Sequence, residues 1–202
     1  MPRISLVIPA FDKQEYLPPL LDSVHLARRQ YARGSNGIEI IVADNASTDG
    51  TAELARTRGC CVVQVEKRVI AAARNAGAQV ATGEILAFVD AESQIHPDTF
   101  NAIERTMASN HVVVGATGVR FSRTSPGIAI ATLVAITLFH LTGLDGAFIF
   151  CRHADWQAVG AYNEDLLWLE DAEFLIALKR LGRARGQSLS ACGKGTCDDV
   201  RA

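Results

Sequence analysis

The sequence predicts an α/β fold with a Rossmann-like, mostly parallel central sheet flanked by helices. Two observations carry that expectation. Short continuous apolar runs alternate with longer stretches of helical periodicity through the first half, and such runs read as strands buried on both faces. Turn-forming residues punctuate the joins, so parallel neighbours are joined by right-handed crossovers.

In chain order, Ile4 to Ile8 reads as the first strand. A helix is expected over 14–33, with Leu17, Leu20, Leu21, Val24 and Leu26 among its apolar positions. Gly34-Ser35-Asn36-Gly37 turns the chain into a second buried strand, Ile38 to Val42. Ser47-Thr48-Asp49-Gly50 supplies hydroxyl and carboxylate groups that cap free backbone N–H groups, so a helix follows to Arg58. Next come a short strand from Cys61 to Val65, a helix from Val69 to Ala81 and a strand from Ile85 to Val89. His96-Pro97-Asp98 then opens a helix to Ser109. The second half departs from strict alternation. It holds a strand near Val112 to Phe121, an apolar helix from Ile128 to Leu144, a strand from Ala147 to Cys151 and an acidic helix start at Glu170. The segment 186–202 is rich in Gly, Ser and Cys, lacks periodicity and is expected to be irregular.

Bulk properties exclude several classes. The 202 residues suffice for one domain with a real core, and 49% hydrophobic with 21% charged residues is ordinary for a globular protein. A net charge of −2 offers no broad basic face, so nucleic acid is not an expected partner. The five cysteines are odd in number, two are adjacent, and no pair of Cys-x-x-Cys units occurs. A reducing compartment is expected rather than a disulfide framework or a zinc site. The opening residues lack a cleavable leader pattern, since the apolar run is strand-length and meets Pro9. The run 128–144, interrupted by Thr132, Thr137, His140 and Thr142, is short for a span and reads as a buried or membrane-surface helix.

Chemistry concentrates where the strand Ile85–Val89 runs into Asp90-Ala91-Glu92. Ligands of open α/β sheets bind at the carboxyl ends of strands, and two carboxylates there suit a hard divalent cation held jointly with phosphates. Exposed acids in a strand-end loop are the plainer reading. Asp44 follows the second strand, either to accept hydrogen bonds from a base or ribose or to shape the turn before Ser47. Arg74, in Arg74-Asn75-x-Gly77, has a planar fork suited to a diphosphate, or is a solvated helix-face arginine. In Glu170-Asp171-Ala172-Glu173, one acid can serve as a general base, although acids in a first helical turn are also favoured by the macrodipole. No G-x-G-x-x-G, P-loop or G-x-S-x-G element appears, which counts against dinucleotide oxidoreductases, NTPases and serine hydrolases.

These residues, in this order, resemble a family 2 glycosyltransferase with the GT-A fold. The resemblance rests on Ser5-Leu6-Val7-Ile8-Pro9-Ala10-Phe11, the run Ile41 to Thr51, Ala73-Arg74-Asn75-Ala76-Gly77 and the run Ala81 to Glu92. Gly146 to Arg152, Val159 to Glu164 and Leu169 to Glu173 continue it, so it covers roughly 3–185. It implies one GT-A domain with a nucleotide-sugar half at 1–92, an acceptor-side half at 93–185 and a tail at 186–202. By position, Pro9, Ala10 and Asp44 would contact the nucleotide, Asp44 reading the base, and Arg74 would lie near the diphosphate. Asp90 would face the ribose or the metal and Glu92 the metal, with Glu92 standing where the family pattern has a second aspartate. Asp171, beside Glu170, would be the general base of an inverting transfer. The resemblance further implies Mg²⁺ or Mn²⁺, a nucleotide-diphospho-sugar donor with UDP-sugars favoured, and a glycan or lipid-linked acceptor. The implied location is cytoplasmic, with the inner face of the plasma membrane touched through 128–144 as one option. A member that has lost turnover and only binds nucleotide or a partner is the alternative.

Overall fold

The computed structural model describes residues 1–117 and 148–192. Seven strands form one sheet: β1 (Ile4–Ala10), β2 (Ile38–Asp44), β3 (Cys61–Gln64), β4 (Ile85–Val89), β5 (Val112–Thr117), β6 (Phe148–Arg152) and β7 (Ser188–Cys192). Their order is β3-β2-β1-β4-β6-β5-β7. β6 runs antiparallel to both neighbours, and every other pairing is parallel. The expected α/β architecture is therefore present, with the antiparallel pairing confined to the two edges of β6.

The sheet lies between two layers of helices because its strands are apolar on both sides. On one face Ile4, Leu6 and Ile8 of β1 pack with Leu17, Leu20, Leu21 and Val24 of α1 (Leu17–Arg29) and with Phe100 and Ile103 of α4 (Thr99–Met107). On the other, Val7, Ile41 and Phe88 meet Ala71 and Ala78 of α3 (Ile70–Val80). The same cluster takes in Trp156 of α5 (His153–Ala158) and Phe174, Leu175 and Leu178 of α6 (Glu170–Ala184). The remaining helix, α2 (Thr51–Thr57), buries Ala55.

Several expected boundaries move for identifiable reasons. α1 begins at Leu17 rather than 14, with prolines in its first turn, where a missing N–H costs nothing. Leu26, read as part of its apolar stripe, is exposed, and Ala27 points inward instead. The second strand extends two residues beyond Val42, to Asp44. Helix α5 was not anticipated, its 6 residues being too few to show a period. The segment read as irregular from 186 contains β7, which pairs in parallel with β5 and is ordered by that neighbour rather than by any pattern of its own. The apolar run 128–144, residues 118–121 of the expected fifth strand, Ala147 and residues 193–202 lie outside the described residues. Among the described residues, no helix is long and apolar enough to cross a membrane.

Strand order fixes where a site can form. The chain steps from β1 outward to β2 and β3, then returns on the other side of β1 as β4, so the switch point lies at the carboxyl ends of β1 and β4. Helix α3 makes that return while packed on β1, where Gly77 faces Val7. Added methyl groups in a helix interior usually stabilise. At Gly77, however, a Cβ would overlap Val7 Cγ1. Gly77→Ala is expected to lower unfolding free energy in urea by about 1–3 kcal/mol. The loss should be partly recovered when combined with Val7→Ala. Independent effects of the two changes would contradict this packing.

Candidate active site

Two loops, cross-stitched by hydrogen bonds, build one wall of the site. Residues 11–16 follow β1 and residues 45–50 follow β2. The Asp12 N–H donates to Ser47 Oγ (3.0 Å), and the Thr48 N–H donates to Asp12 Oδ1 (2.7 Å). Lys13 N–H reaches Thr51 Oγ1 (2.8 Å), Gln14 N–H reaches Asp49 Oδ2 (3.1 Å), and Gly50 N–H reaches Gln14 Oε1 (2.9 Å). Asp12 and Ala46 hold positive φ, at 50° and 58°. Asp adopts that region readily, whereas Ala does so at a cost, so the stitch over-determines the backbone at Ala46. The motif read as helix-start chemistry thus ties two loops together as well.

Between this wall and the end of β4 lies a cleft lined by Pro9, Ala10, Phe11, Lys13, Asn45, Ile70, Asp90, Ala91 and Glu92. Of the expected nucleotide contacts, Pro9 and Ala10 line it. Asp44 does not: it is 2% exposed, and its Oδ1 accepts the Ser47 N–H at 3.3 Å. Its neighbour Asn45 faces the cleft instead, and Asn45 Oδ1 is buried without a hydrogen-bond partner among the described residues. Asp90 and Glu92 share the cleft although their segment is a turn, closed by Ser93 N–H donating to the Asp90 carbonyl (3.0 Å), and not extended. Lys13 Nζ lies 2.9 Å from Glu92 Oε2.

Arg74 joins this cleft to the second half of the chain. Its side chain is 4% exposed, and Nη1 donates to Glu170 Oε1 at 2.7 Å. Nη2 lies 3.1 Å from both Asp90 Oδ1 and Asp171 Oδ2. Tyr162 forms the floor, with the guanidinium carbon 5.3 Å from its ring centroid and Phe174 stacked on it at 4.1 Å. Asn75, the next residue of α3, clamps the same tyrosine by donating to the Tyr162 carbonyl and accepting its N–H, each at 2.9 Å. The motif Arg74-Asn75-x-Gly77 therefore has a use for each named residue: acids, the Tyr162 backbone and β1. Arg74 is thus not a solvated helix-face arginine: its guanidinium is taken up by acids, one of which, Asp90, lines the cleft.

One guanidinium cannot neutralise three carboxylates. Burial pushes the Asp171 carboxyl up to about 7, opposed by Arg74 and reinforced by Glu170 and Asp90. Burial also raises Asp90, against the pull of Arg74. Burial works against the charge of Arg74, but Asp171, Asp90 and Glu170 outweigh it and the guanidinium stays charged. Asp171 Oδ1, Arg74 Nε and the Tyr162 hydroxyl are buried without hydrogen-bond partners among the described residues. Leu169, at φ 65°, turns the chain into α6, and Leu167 and Trp168 just before it are exposed.

Among the described residues no three His, Cys, Asp or Glu side chains form a group able to hold a metal ion alone. Asp90 and Glu92 nevertheless fit a divalent cation that borrows ligands from phosphates, since Arg74 and Lys13 each engage one oxygen of a two-oxygen carboxylate. Lys13, Asn45 and Tyr162 escaped the sequence reading, because a lysine in a polar loop and an asparagine in a turn carry no spacing signal.

Comparison with known proteins bears on the fold and the family. Over 123 residues the chain is 31% identical to the undecaprenyl-phosphate 4-deoxy-4-formamido-L-arabinose transferase of Pectobacterium carotovorum subsp. carotovorum, covering 56% of this chain and 36% of that protein. It spans 43%, 30% and 36% of three curated relatives, well short of their full lengths. Its fold is similar to S. aureus TarS 1–349 in complex with UDP-GlcNAc (TM-score 0.74, 21% identity, 99% of this chain and 58% of that one). It is also similar to the mannosyltransferase PcManGT from Pyrobaculum calidifontis in complex with GDP-Man and Mn²⁺ (TM-score 0.74, 19% identity, 94% and 54%). Both likenesses are of GT-A glycosyltransferase architecture. The profile of the family described as Glycosyl transferase family 2 matches residues 5–151, most of the chain, and the protein belongs to that family.

Proposed function

We propose that the chain transfers a sugar, with inversion, from a nucleotide-diphospho-sugar to an acceptor hydroxyl, with Asp171 as general base. The observation that carries this reading is the shared guanidinium nitrogen: Asp90 on the donor cleft and Asp171 at the head of α6 lie 3.1 Å from the same atom, Arg74 Nη2. A base and a donor-side carboxylate held that close serve one reaction centre. Asp171 takes the acceptor proton as the hydroxyl oxygen bonds to the anomeric carbon, whose bond to the diphosphate breaks. A single displacement of this kind inverts the carbon. Asp90 and Glu92 would hold Mg²⁺ or Mn²⁺, which neutralises charge on the leaving diphosphate when bound. Glu170 fixes Arg74, and Arg74 fixes Asp171.

UDP-sugars are the favoured donors, in keeping with the UDP-GlcNAc complex of the similar TarS structure, while GDP-Man in PcManGT keeps a second nucleobase in the test. A lipid-linked acceptor that offers a sugar hydroxyl is in keeping with the similarity to undecaprenyl-phosphate transferases, which act at a lipid phosphate, and with the exposed Leu167 and Trp168 beside Asp171. Such an acceptor would bring the protein to the cytoplasmic face of a membrane.

Calorimetric titration with UDP or GDP and Mn²⁺ should release heat, and no heat with any nucleoside diphosphate would contradict the donor assignment. Asp171→Asn should lower kcat about 10²–10⁴-fold with donor KM within a few-fold of the parent. Unchanged turnover would remove Asp171 as base. Absent turnover in both proteins, with UDP still bound, would favour a binding module.

The pH dependence has a definite sign. With a folded-state value of about 7 against an ordinary 3.8, Asp171 holds its proton more tightly in the folded chain. Folding stability should therefore fall between about pH 4 and pH 7 and level off above. Asp171→Asn lacks that penalty, so denaturant titrations should show its stability relative to the parent increasing with pH across this window. Transfer, which needs the carboxylate, should rise through about pH 7 in kcat/KM profiles.

A further inference from the structure

The cleft holds two carboxylates and must accept a diphosphate, yet among its described lining residues only Lys13 is positively charged. Arg74 is committed beneath the cleft to Glu170, Asp90 and Asp171. Arg68 lies over the ring of Phe11 at 5.3 Å and is not itself among the residues that line the cleft.

Lys13 combines a fixed base with a movable tip. Its N–H is held by Thr51 Oγ1 at 2.8 Å, and its carbonyl accepts the N–H groups of Tyr16 (3.0 Å) and Leu17 (2.9 Å). Its ammonium lies 2.9 Å from Glu92 Oε2 and 5.1 Å from the Tyr16 ring centroid. The side chains of the ion pair are 31% and 58% exposed, so the pair is weak and readily exchanged. The contact also crosses the cleft, joining the loop after β1 to the turn after β4. A divalent cation at Glu92 would displace the ammonium, which is released beside the phosphates that complete the cation's shell.

We propose that Lys13 is an exchangeable counter-ion of the donor cleft: it guards Glu92 in the free protein and moves onto the donor diphosphate when a divalent cation takes its place. This rests on the nucleotide-sugar reading above. It predicts changes of opposite sign from one substitution, which a merely structural lysine would not give.

Lys13→Gln, its fold checked by thermal melting, should bind Mn²⁺ alone two- to tenfold more tightly than the parent, because Glu92 loses its competitor. The same variant should bind UDP in the presence of Mn²⁺ about five- to fiftyfold more weakly, while uridine affinity stays within twofold. Lys13→Arg should restore UDP binding to within a few-fold. GDP and guanosine replace UDP and uridine if the parent prefers them. If UDP, uridine and Mn²⁺ affinities all weaken together, or UDP affinity is unchanged, the assignment of Lys13 is overturned while the donor reading stands. A parent protein that binds no nucleoside diphosphate overturns both.

Discussion

The salt-bridge cluster at Arg74 is the constraint around which the rest of the site is arranged. A guanidinium this deeply buried must be paired, and its three carboxylate partners come from two separate parts of the chain, Asp90 after β4 and Glu170 with Asp171 at the start of α6. Removing one partner of such a buried pair typically costs about 3–5 kcal/mol, because the charge left behind has no water to solvate it. The cluster therefore enforces a geometry: the two halves of the sheet can close only with the acids converging on one point. An excess of negative charge follows, and it leaves Asp171 able to bind and release a proton near neutrality.

Helix α3 delivers this arginine. Gly77 lets the helix approach β1 closely enough that Arg74, one turn earlier, reaches below the sheet's carboxyl edge. Asn75 then fixes Tyr162, whose ring supports the guanidinium from below. The cross-stitched loops after β1 and β2 make the opposite wall, with their backbone polar groups satisfied by Asp12, Gln14, Asp49 and Thr51. The exposed Lys13–Glu92 pair bridges the two sides of the cleft.

Much of the fold was legible because it rests on local pattern. Ile85–Val89 is an uninterrupted apolar run ended by Asp90, and its strand has the expected limits. The start of α6 at Glu170 was equally plain from its acidic first turn. Elements defined by neighbours were not legible: β7 exists because β5 offers an edge to pair with, and α5 is too short to show a period. The site divides along the same line. Asp90, Glu92 and Asp171 stood out as acids in telling places. The direction in which Arg74 points depends on residues 96 and 97 positions away in sequence, which no local pattern encodes. Asp44 and Asn45 show the limit most clearly, since only the turn geometry decides which of two adjacent polar residues faces the cleft.

In the proposed reaction Arg74 organises the carboxylates and does not grip the donor. A crystal structure of the protein with a nucleoside diphosphate and Mn²⁺ tests it most directly. Arg74 should remain bound to Glu170, Asp90 and Asp171, with Asp171 facing the diphosphate across the cleft. An Arg74 side chain withdrawn from those acids and paired with the ligand's phosphates would contradict it.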